Sequence, residues 1–315
     1  MKRKIKTILK WTGITLLTLV VILAVLVAAR QNMHYEAPYP DIQTSTDSAV
    51  IAHGRHLVIS SAHCIDCHSK ANADSLLALG QEVPLSGGVN FVLPLGTIYS
   101  KNITPDQETG IGKYSDRELA RTLRYGVKPD GTVLYEFMQF HNTSDEDLAA
   151  ILSYLRSQKP VYNKVPENQL NLLGNIVKAF LVKPVGPTGD VPKSVHRDTT
   201  AAYGHYLTHY MAECNGCHTK RDMSGKFIGE PFAGGNEIEG YITPNLTPDS
   251  SSRIFGWSEK QFIDRFRMGR LKEGSVMPWS SFKRMTDDEL KAIYRYLKTL
   301  KPVKEDSWKN TAKKK

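Results

Sequence analysis

The amino-acid sequence predicts an all-α protein with two tandem helical domains behind an N-terminal transmembrane helix. Three observations support this: an uncharged stretch over residues 11–29, a repeat with an offset of 142 to 150 residues, and helix-start signals in both copies. No convincing run of alternating apolar and polar residues predicts strands. The expected segments are a transmembrane helix over 1–30, a first domain over 45–160, a linker over 161–200, a second domain over 201–303 and a basic tail over 304–315.

Composition places the chain among ordinary globular proteins. Its 315 residues are 41% hydrophobic and 23% charged, and it has only four cysteines, which excludes a disulfide scaffold and a cysteine-rich zinc array. The net charge of +9 lies entirely at the two ends, because residues 1–30 carry +6 and residues 306–315 carry +3. Residues 31–305 are therefore neutral overall, and the basic balance gives no support for nucleic-acid binding.

The N-terminus predicts a membrane anchor. Residues 11–29 are uncharged, and a helix of this length just spans a hydrocarbon core of about 30 Å. Five basic residues precede the stretch, so we expect the chain after Arg30 to lie outside the cytoplasm. The alternative is a cleaved signal peptide ending near Ala29, but its apolar region would be unusually long. We therefore expect a single-pass protein of the cell (inner) membrane with its domains on the periplasmic side.

The repeat indicates a duplicated domain rather than a solenoid. The matching segments are 53–57 with 203–207, 102–106 with 245–249, and 148–160 with 290–302. Capping boxes mark helix starts at Ser115 with Glu118, Ser258 with Gln261 and Thr286 with Glu289, and Ser144 with Asp147 is a weaker version. Proline ends the last helix of each copy, at Pro160 and Pro302.

The linker over 161–200 contains one apolar stretch, Leu170 to Val182, which can form a helix. We expect this stretch to pack between the two domains. Contact with a membrane surface is the less favoured alternative.

All four cysteines lie in two copies of one motif. The copies are Cys64-Ile65-Asp66-Cys67-His68 and Cys214-Asn215-Gly216-Cys217-His218. Cys-x-x-Cys-His is the attachment motif of c-type haem. Two thiols one helical turn apart can add to the two vinyl groups along one haem edge, and the following histidine then lies beneath the iron. A thioredoxin-like motif would need a βαβ context, and a shared zinc site would need the pairs close in sequence. The sequence therefore predicts two covalently bound haem c groups.

Each haem also needs a sixth ligand, for which methionine is the usual partner of histidine in cytochromes c. Met277, followed by Pro278, is the candidate in the second copy, and Met138 occupies the corresponding loop of the first. His141 competes with Met138. Met211, Met268 and Met285 compete with Met277, but their expected role is to fill gaps in the core. The remaining histidines, including His53, His56, His205 and His209, are expected at the surface or in packing.

These residues resemble a known family. Each half is similar to a class I cytochrome c domain, and the pair resembles the membrane-anchored, multi-haem cytochrome subunits of periplasmic alcohol, aldehyde and gluconate dehydrogenases. The resemblance covers residues 45–303 and rests on the two haem motifs, the Asn-x-Thr-Pro-Asp segments, and the loops around Met138 and Met277. It implies that His68 with Met138, and His218 with Met277, are the axial ligand pairs. Two departures are that those subunits often have three haem domains, and that Met138 is followed by Gln139 rather than proline.

An iron with both axial positions filled cannot bind substrate, so we expect an electron carrier rather than an enzyme. The expected partners are a periplasmic dehydrogenase subunit or other electron donor, a respiratory acceptor and the membrane. No nucleophile motif, phosphate loop or dinucleotide-binding fingerprint accompanies the cysteine motifs. Two alternatives stay open: a di-haem peroxidase or sulfur-compound dehydrogenase with one open iron, and a haem-based sensor or structural module.

Overall fold

Helices form most of the regular structure in the computed structural model, which describes residues 2–304 apart from 136, 139, 223 and 224. The helices are α1 (Lys2–Arg30), α2 (Ser48–Ile59), α3 (Cys64–His68), α4 (Ala73–Ala78), α5 (Asp116–Tyr125), α6 (Asp145–Ser157), α7 (Leu172–Phe180), α8 (Ala201–Tyr206), α9 (Cys214–His218), α10 (Glu259–Arg267), α11 (Trp279–Phe282) and α12 (Asp287–Thr299). The strands are β1 (Asn90–Leu93), β2 (Gly96–Tyr99), β3 (Gln169–Leu170), β4 (Glu237–Ile238) and β5 (Tyr241–Ile242). A 3₁₀ turn covers Phe140–Asn142 and a π-helical turn covers Leu207–Met211. Of the predicted basic tail, residues 305–315 lie outside the described part of the chain.

The first helix, α1, is long and apolar enough to cross a membrane. Its 28 residues from Arg3 to Arg30 include an 18-residue window with a mean hydropathy of 2.7, and 6% of that window is buried. At 1.5 Å per residue such a helix exceeds the hydrocarbon thickness of about 30 Å. Membrane anchors and signal sequences share these properties.

The first and last helices of each half of the repeat cross at a glycine. We use N-terminal half for residues 45–160 and C-terminal half for residues 201–303. A Cβ atom added to Gly54 of α2 would lie 1.8 Å from the carbonyl oxygen of Ala150 in α6, and one added to Gly204 of α8 would lie 2.0 Å from that of Ala292 in α12. Only glycine permits so close an approach. The two crossings therefore have the same geometry at matched positions of the repeat.

The predicted capping boxes are confirmed. Ser115 with Glu118, Ser258 with Gln261 and Thr286 with Glu289 each form both hydrogen bonds of the box, at the starts of α5, α10 and α12. Each box satisfies backbone N–H groups that would otherwise lack a partner. The weaker pair also behaves as expected, since Ser144 accepts the backbone N–H of Asp147 at 3.2 Å without a return bond.

Two small antiparallel sheets depart from the all-α expectation. Strand β1 pairs with β2 from Asn90↔Tyr99 to Leu93↔Gly96, and β3 pairs along the other edge of β2. Strands β4 and β5 form a two-residue pair in the C-terminal half. Strands of two to four residues are too short to display an alternating pattern, which explains why the sequence did not predict them.

The apolar stretch of the linker does form a helix, but its position differs from the expected one. Helix α7 packs against α1 and β3, and Gly174 lies directly against the carbonyl of Leu95 at the β1–β2 turn. A later part of the linker, residues 192–193, contacts the start of α6. There the backbone N–H groups of Asp145 and Glu146 donate to the carbonyls of Pro192 and Lys193 at 3.0 and 2.9 Å. The expectation that α7 packs between the two halves is therefore wrong, because its main contacts are with α1, β3 and the β1–β2 turn.

The two halves share one contiguous hydrophobic core. It contains Leu57 and Leu152 of the N-terminal half together with Leu207 and Leu297 of the C-terminal half, each less than 3% exposed. Burial of this kind is the main favourable term in holding two helical units together. The halves are thus joined by packing as well as by the covalent linker.

Polar contacts between the halves are related by the repeat. Glu289, the third residue of α12, accepts a hydrogen bond from His56 of α2 at 2.9 Å. Asp147, the third residue of α6, accepts one from Tyr206 of α8 at 2.6 Å. His56 and Tyr206 occupy matched positions, so the same surface is used twice, as in a two-fold symmetric interface.

Tyr206 also completes a helix cap in the other half. Its hydroxyl accepts the backbone N–H of Ser144 at 3.0 Å while it donates to Asp147. In α12 the longer side chain of Glu289 accepts the equivalent N–H of Thr286 directly, at 2.7 Å. Aspartate lacks the methylene group needed for this reach, so the tyrosine of the C-terminal half supplies the missing acceptor.

Candidate haem-binding site

Each cysteine motif forms a short helix entered through an unusual backbone turn. Helices α3 and α9 consist of the motif residues themselves. The residue before each helix lies in the left-handed region, with φ of 38° at His63 and 50° at Glu213. Non-glycine residues adopt this conformation at a cost and mostly where the surroundings enforce it. The structure thus presents both motifs with the same strained entry.

The helices bring each cysteine pair to one side. Cysteines three positions apart on a helix lie on neighbouring positions of one face, which is the spacing needed to reach two groups along one edge of a ligand. The four cysteines, Cys64, Cys67, Cys214 and Cys217, form no disulfide. Burial raises the pKa of Cys64 and of Cys214 to about 12, and that of Cys67 to about 11. All are therefore neutral thiols at pH 7, available for thioether formation.

The histidine of each motif is buried and held by its Nδ1 atom. The Nδ1–H of His68 donates to the carbonyl of Lys101 at 2.8 Å, and that of His218 donates to the carbonyl of Pro244 at 3.0 Å. The two residues are 7% and 8% exposed, and burial lowers the pKa of both imidazoles. The neutral tautomer with a proton on Nδ1 leaves Nε2 with a lone pair, as a metal-ligating histidine requires.

The carbonyls that hold the histidines each precede an Asn-x-Thr segment. Asn245, 1% exposed, donates from Nδ2 to the carbonyl of Val303 at 2.6 Å and accepts from Thr247 N and Oγ1 at 2.9 and 2.8 Å. Asn102 does the same with Val161 and Thr104. Val161 and Val303 each follow the proline that ends the last helix of their half. The Asn-x-Thr-Pro-Asp segments therefore work as clasps, fixing the carbonyl beside each histidine, rather than as catalytic carboxylates.

Two glycines allow the chain to pass beside these carbonyls. Gly87 N–H donates to His68 O at 2.8 Å, and Gly234 N–H donates to His218 O at 2.7 Å. With φ of 69° and 71°, both lie in the left-handed region, and a Cβ would approach the carbonyls of Lys101 and Pro244 to 2.4 and 2.7 Å. Sequence reasoning missed this pair, although their matched place in the repeat was a usable signal.

The two candidate methionines lie in matched loops. Met138 precedes the 3₁₀ turn, Met277 precedes α11, and both are half-buried against the hydrophobic core. Gln139 lies outside the described residues. Among the rivals, Met211 and Met285 are 0% and 2% exposed and fill the core as expected.

Two other rivals differ in their surroundings. Met268 is 61% exposed at the end of α10, so the expectation that it fills a core gap is wrong. His141 is buried, and its Nδ1 lies 3.1 Å from the carbonyl of Arg124. That contact directs the His141 ring toward the end of α5.

Two arginines at matched positions, in the last turns of α5 and α10, bind the chain at the end of each methionine loop. Arg124, 2% exposed, donates to the carbonyl of Thr143 and to the carboxylate of Asp145 at 2.8 Å. Arg267 donates to the carbonyl of Lys283 at 2.8 Å and to the carboxylate of Asp287. A guanidinium can make several such bonds at once in a fixed geometry. An arginine repeated at this position in both halves was the sequence signal that it holds the methionine loop.

Comparison with known protein families identifies the C-terminal half. Residues 205–297 match the family described as cytochrome C oxidase, cbb3-type, subunit III. The chain contains a cytochrome c domain. The matched range includes the Cys214 motif, the clasp at Asn245, Met277 and most of α12. A domain of this family carries covalently bound haem c.

Curated relatives extend the likeness over most of the chain. Alcohol dehydrogenase (quinone), cytochrome c subunit, of Gluconobacter oxydans is 33% identical over 82% of this chain and 56% of its own length. The gluconate 2-dehydrogenase cytochrome c subunit of Pantoea cypripedii is 29% identical over 81% of this chain and 60% of its own. A diheme cytochrome c-type protein of Cereibacter sphaeroides is 26% identical over 76% of this chain and 82% of its own. The resemblance predicted from the sequence is confirmed.

This chain spans little more than half the length of the dehydrogenase cytochrome subunits it matches. The donor atoms of the structure nevertheless fit haem c at both motifs: a pair of unpaired thiols on one helical turn, and a buried neutral imidazole oriented through Nδ1. Haem iron held in this way supplies reversible one-electron chemistry. The protein's part is to hold the ligands, exclude water and tune the potential.

Proposed function

We propose that the chain is a membrane-anchored di-haem c-type cytochrome that transfers electrons from a periplasmic donor to the respiratory chain. The observation that carries the proposal is the duplicated histidine clasp, in which a buried imidazole, a backbone carbonyl and an Asn-x-Thr segment have the same geometry in both halves. A vestigial copy would have no need to keep the orientation of its histidine. This geometry supports two haems rather than one.

The proposed ligands follow the repeat. Cys64 and Cys67 would attach the first haem, with His68 and Met138 as its axial ligands. In the C-terminal half Cys214 and Cys217 would attach the second, with His218 and Met277. Thioether ligation opposite histidine fills both axial positions and favours electron transfer over substrate binding.

The proposed donor is a dehydrogenase subunit. The relatives from Gluconobacter and Pantoea are named as cytochrome c subunits of alcohol and gluconate dehydrogenases, which are multi-subunit enzymes. By analogy this chain is the electron-carrying subunit rather than the catalytic one. The apolar helix α1 supports a single-pass anchor, with the two halves on the periplasmic side and a respiratory acceptor at the membrane.

Optical spectroscopy of the purified, exported protein tests the proposal. We expect two haems per chain, low-spin spectra, a methionine–iron charge-transfer band in the oxidised form, and no change on adding carbon monoxide to the reduced form. Matched variants C64A/C67A and C214A/C217A should each retain one covalent haem, which assigns the two spectra. A high-spin fraction or a carbon monoxide complex in the native protein would contradict the carrier and favour a di-haem enzyme with an open iron.

A further inference from the structure

Helix α7 carries apolar side chains that the described part of the chain leaves uncovered. Leu172, Leu173 and Leu181, at its two ends, are 77%, 56% and 70% exposed. Its polar residues Asn175 and Lys178 are half-buried and bond to other parts of the chain, Asn175 to the carbonyl of Leu170 and Lys178 to Asn32. A short apolar helix whose exposed residues are leucines matches an element lying in a membrane interface.

The helix is held directly against the end of the proposed anchor. The Nε of Arg30, the last residue of α1, donates to the carbonyl of Ala179 at 3.2 Å, and its guanidinium lies 5.4 Å from the centre of the Phe180 ring. Lys178 Nζ donates to Asn32 at 3.0 Å. These contacts hold α7 against the end of α1, at the level where the proposed anchor would leave the bilayer.

Cationic groups surround this junction. Arg30, Lys128 and Lys178 lie near one another, and Lys183 is exposed two residues beyond Leu181. The nearest acidic partner is Asp130, 3.6 Å from Lys128. Exposed leucines beside lysine and arginine match the boundary between acyl chains and phosphate groups.

We propose that α7 and Leu181 form a membrane-surface foot, in which the three exposed leucines enter the acyl boundary of the same bilayer that α1 crosses. This rests on the proposed anchoring by α1. The occupant is lipid because α7 is held at the end of the apolar helix α1 and cationic side chains lie beside this junction. This is the alternative that the sequence left less favoured for the linker stretch.

The foot orients the N-terminal half toward the membrane. Residues leaving α1 run along this half, where Tyr35 N–H donates to Gly131 O at 2.8 Å and Thr44 N–H donates to Asp116 at 3.0 Å. An apolar groove beneath α7 is lined by Leu93, Ile98 and Phe137, the last being the neighbour of Met138. The methionine loop of the N-terminal half therefore lies on the membrane side.

Depth measurement in lipid vesicles tests the foot. The probe is the full-length protein with its haems attached, in vesicles of phosphatidylcholine and phosphatidylglycerol. It carries one environment-sensitive fluorophore on an introduced cysteine at L172C, L181C, L19C or L79C. Leu19 is in the middle of α1, and Leu79, 72% exposed at the end of α4, is the matched control. Quenching by lipids with a spin label at a shallow or a deep acyl position reports the depth of each site.

We expect strong quenching by the shallow label at positions 172 and 181, by the deep label at 19, and by neither at 79. Equal and weak quenching at 172, 181 and 79, with deep quenching at 19, would overturn the foot and leave the anchor intact. Absence of quenching at 19 would overturn the anchor and the foot together. Concentration-dependent self-quenching at 172 and 181 without lipid quenching would indicate a second copy of the chain and would also overturn the proposal.

Discussion

At the scale of single residues, the site is controlled by groups one step removed from the proposed ligands. A histidine that ligates a metal is oriented by what its other nitrogen donates to, and here that acceptor is a backbone carbonyl. The position of this carbonyl depends on how firmly its backbone segment is held. The clasp of Asn102 or Asn245 fixes that segment by binding the chain just after the last helix of the same half.

Removing one clasp should loosen one half without touching a ligand. In N102A, the N–H of Thr104 and the carbonyl of Val161 each lose a buried partner, so we expect a loss of about 2–4 kcal/mol in the free energy of unfolding. The ring of His68 should also adopt a wider range of orientations, and this would shift the reduction potential of the haem proposed for the N-terminal half. Denaturant unfolding and a redox titration measure the two effects. E108A, an exposed change in the same loop, is the control, and equal effects of both variants would contradict the clasp.

The axial methionines make a separate prediction. M277A should open one iron to carbon monoxide while both haems stay covalently attached, because the cysteines and histidine are untouched. M138A should do the same for the other haem. M268A changes a methionine that is 61% exposed and should leave carbon monoxide binding at the native level. Unchanged carbon monoxide binding in M277A would show that another residue is the ligand.

At the scale of elements, each half depends on one helix crossing. G204A would place a methyl group 2.0 Å from the carbonyl oxygen of Ala292, so the helices must separate. We expect G204A and its counterpart G54A to lower the free energy of unfolding by about 1–3 kcal/mol. G189A, at an open position with nothing within 4 Å, should be neutral or slightly stabilising. Thermal unfolding of the holoprotein compares the three variants. A neutral effect of G204A would mean that α8 and α12 lie further apart at Gly204 than in the structure.

The sequence predicted those elements whose cause is local. Capping boxes, the proline ends of the last helices and the apolar length of α1 depend on neighbouring residues, and they appear where expected. The sequence did not predict strands β1 to β5, because the pairing of strands of only two to four residues depends on tertiary contacts such as that of Gly96 with Gln169. The same holds for the histidine acceptors, since Lys101 and Pro244 contribute backbone atoms that no side-chain pattern reveals.

At the scale of the whole molecule, each half packs its methionine loop end against the haem motif region of the other. Helix α11, which follows Met277, contacts α3, and Ser281 donates to Asp66 inside the first motif. The 3₁₀ turn after Met138 contacts the π-helical turn before the second motif, where Thr143 donates to the carbonyl of Tyr210 at 2.9 Å. The interface thus holds both proposed redox sites in one rigid unit, as a relay requires.

The contact of His56 with Glu289 makes this interface sensitive to pH. Burial lowers the pKa of His56, but the carboxylate of Glu289, which accepts its hydrogen bond, more than reverses this, so the pKa is raised above 6.5. The folded state therefore binds the proton more tightly than the unfolded state does. The resulting stability is fully present below pH 6.5 and is lost as the pH rises through the raised pKa. Around Asp147, which is also bonded by His53 at 2.7 Å and by Arg197 at 3.0 Å, Tyr203 and Tyr206 do not ionise in this range, because burial raises the pKa of both.

We expect the stability that His56 contributes to be lost between pH 6 and pH 8.5, so the difference in the free energy of unfolding between the native protein and H56Q should shrink over this range. Buried histidines of lowered pKa, such as His63 and His209, act in both proteins and cancel in this difference. Glutamine keeps a hydrogen-bond donor for Glu289, so H56Q removes the titration without emptying the contact. Y206F is the matched variant on the symmetric side. It should cost more stability at every pH, since it leaves the buried N–H of Ser144 and the carboxylate of Asp147 without the shared hydroxyl, but it should retain the native slope. A stability difference from the native protein that stays constant with pH in H56Q and changes with pH in Y206F would reverse the assignment of the pH-sensitive side of the interface.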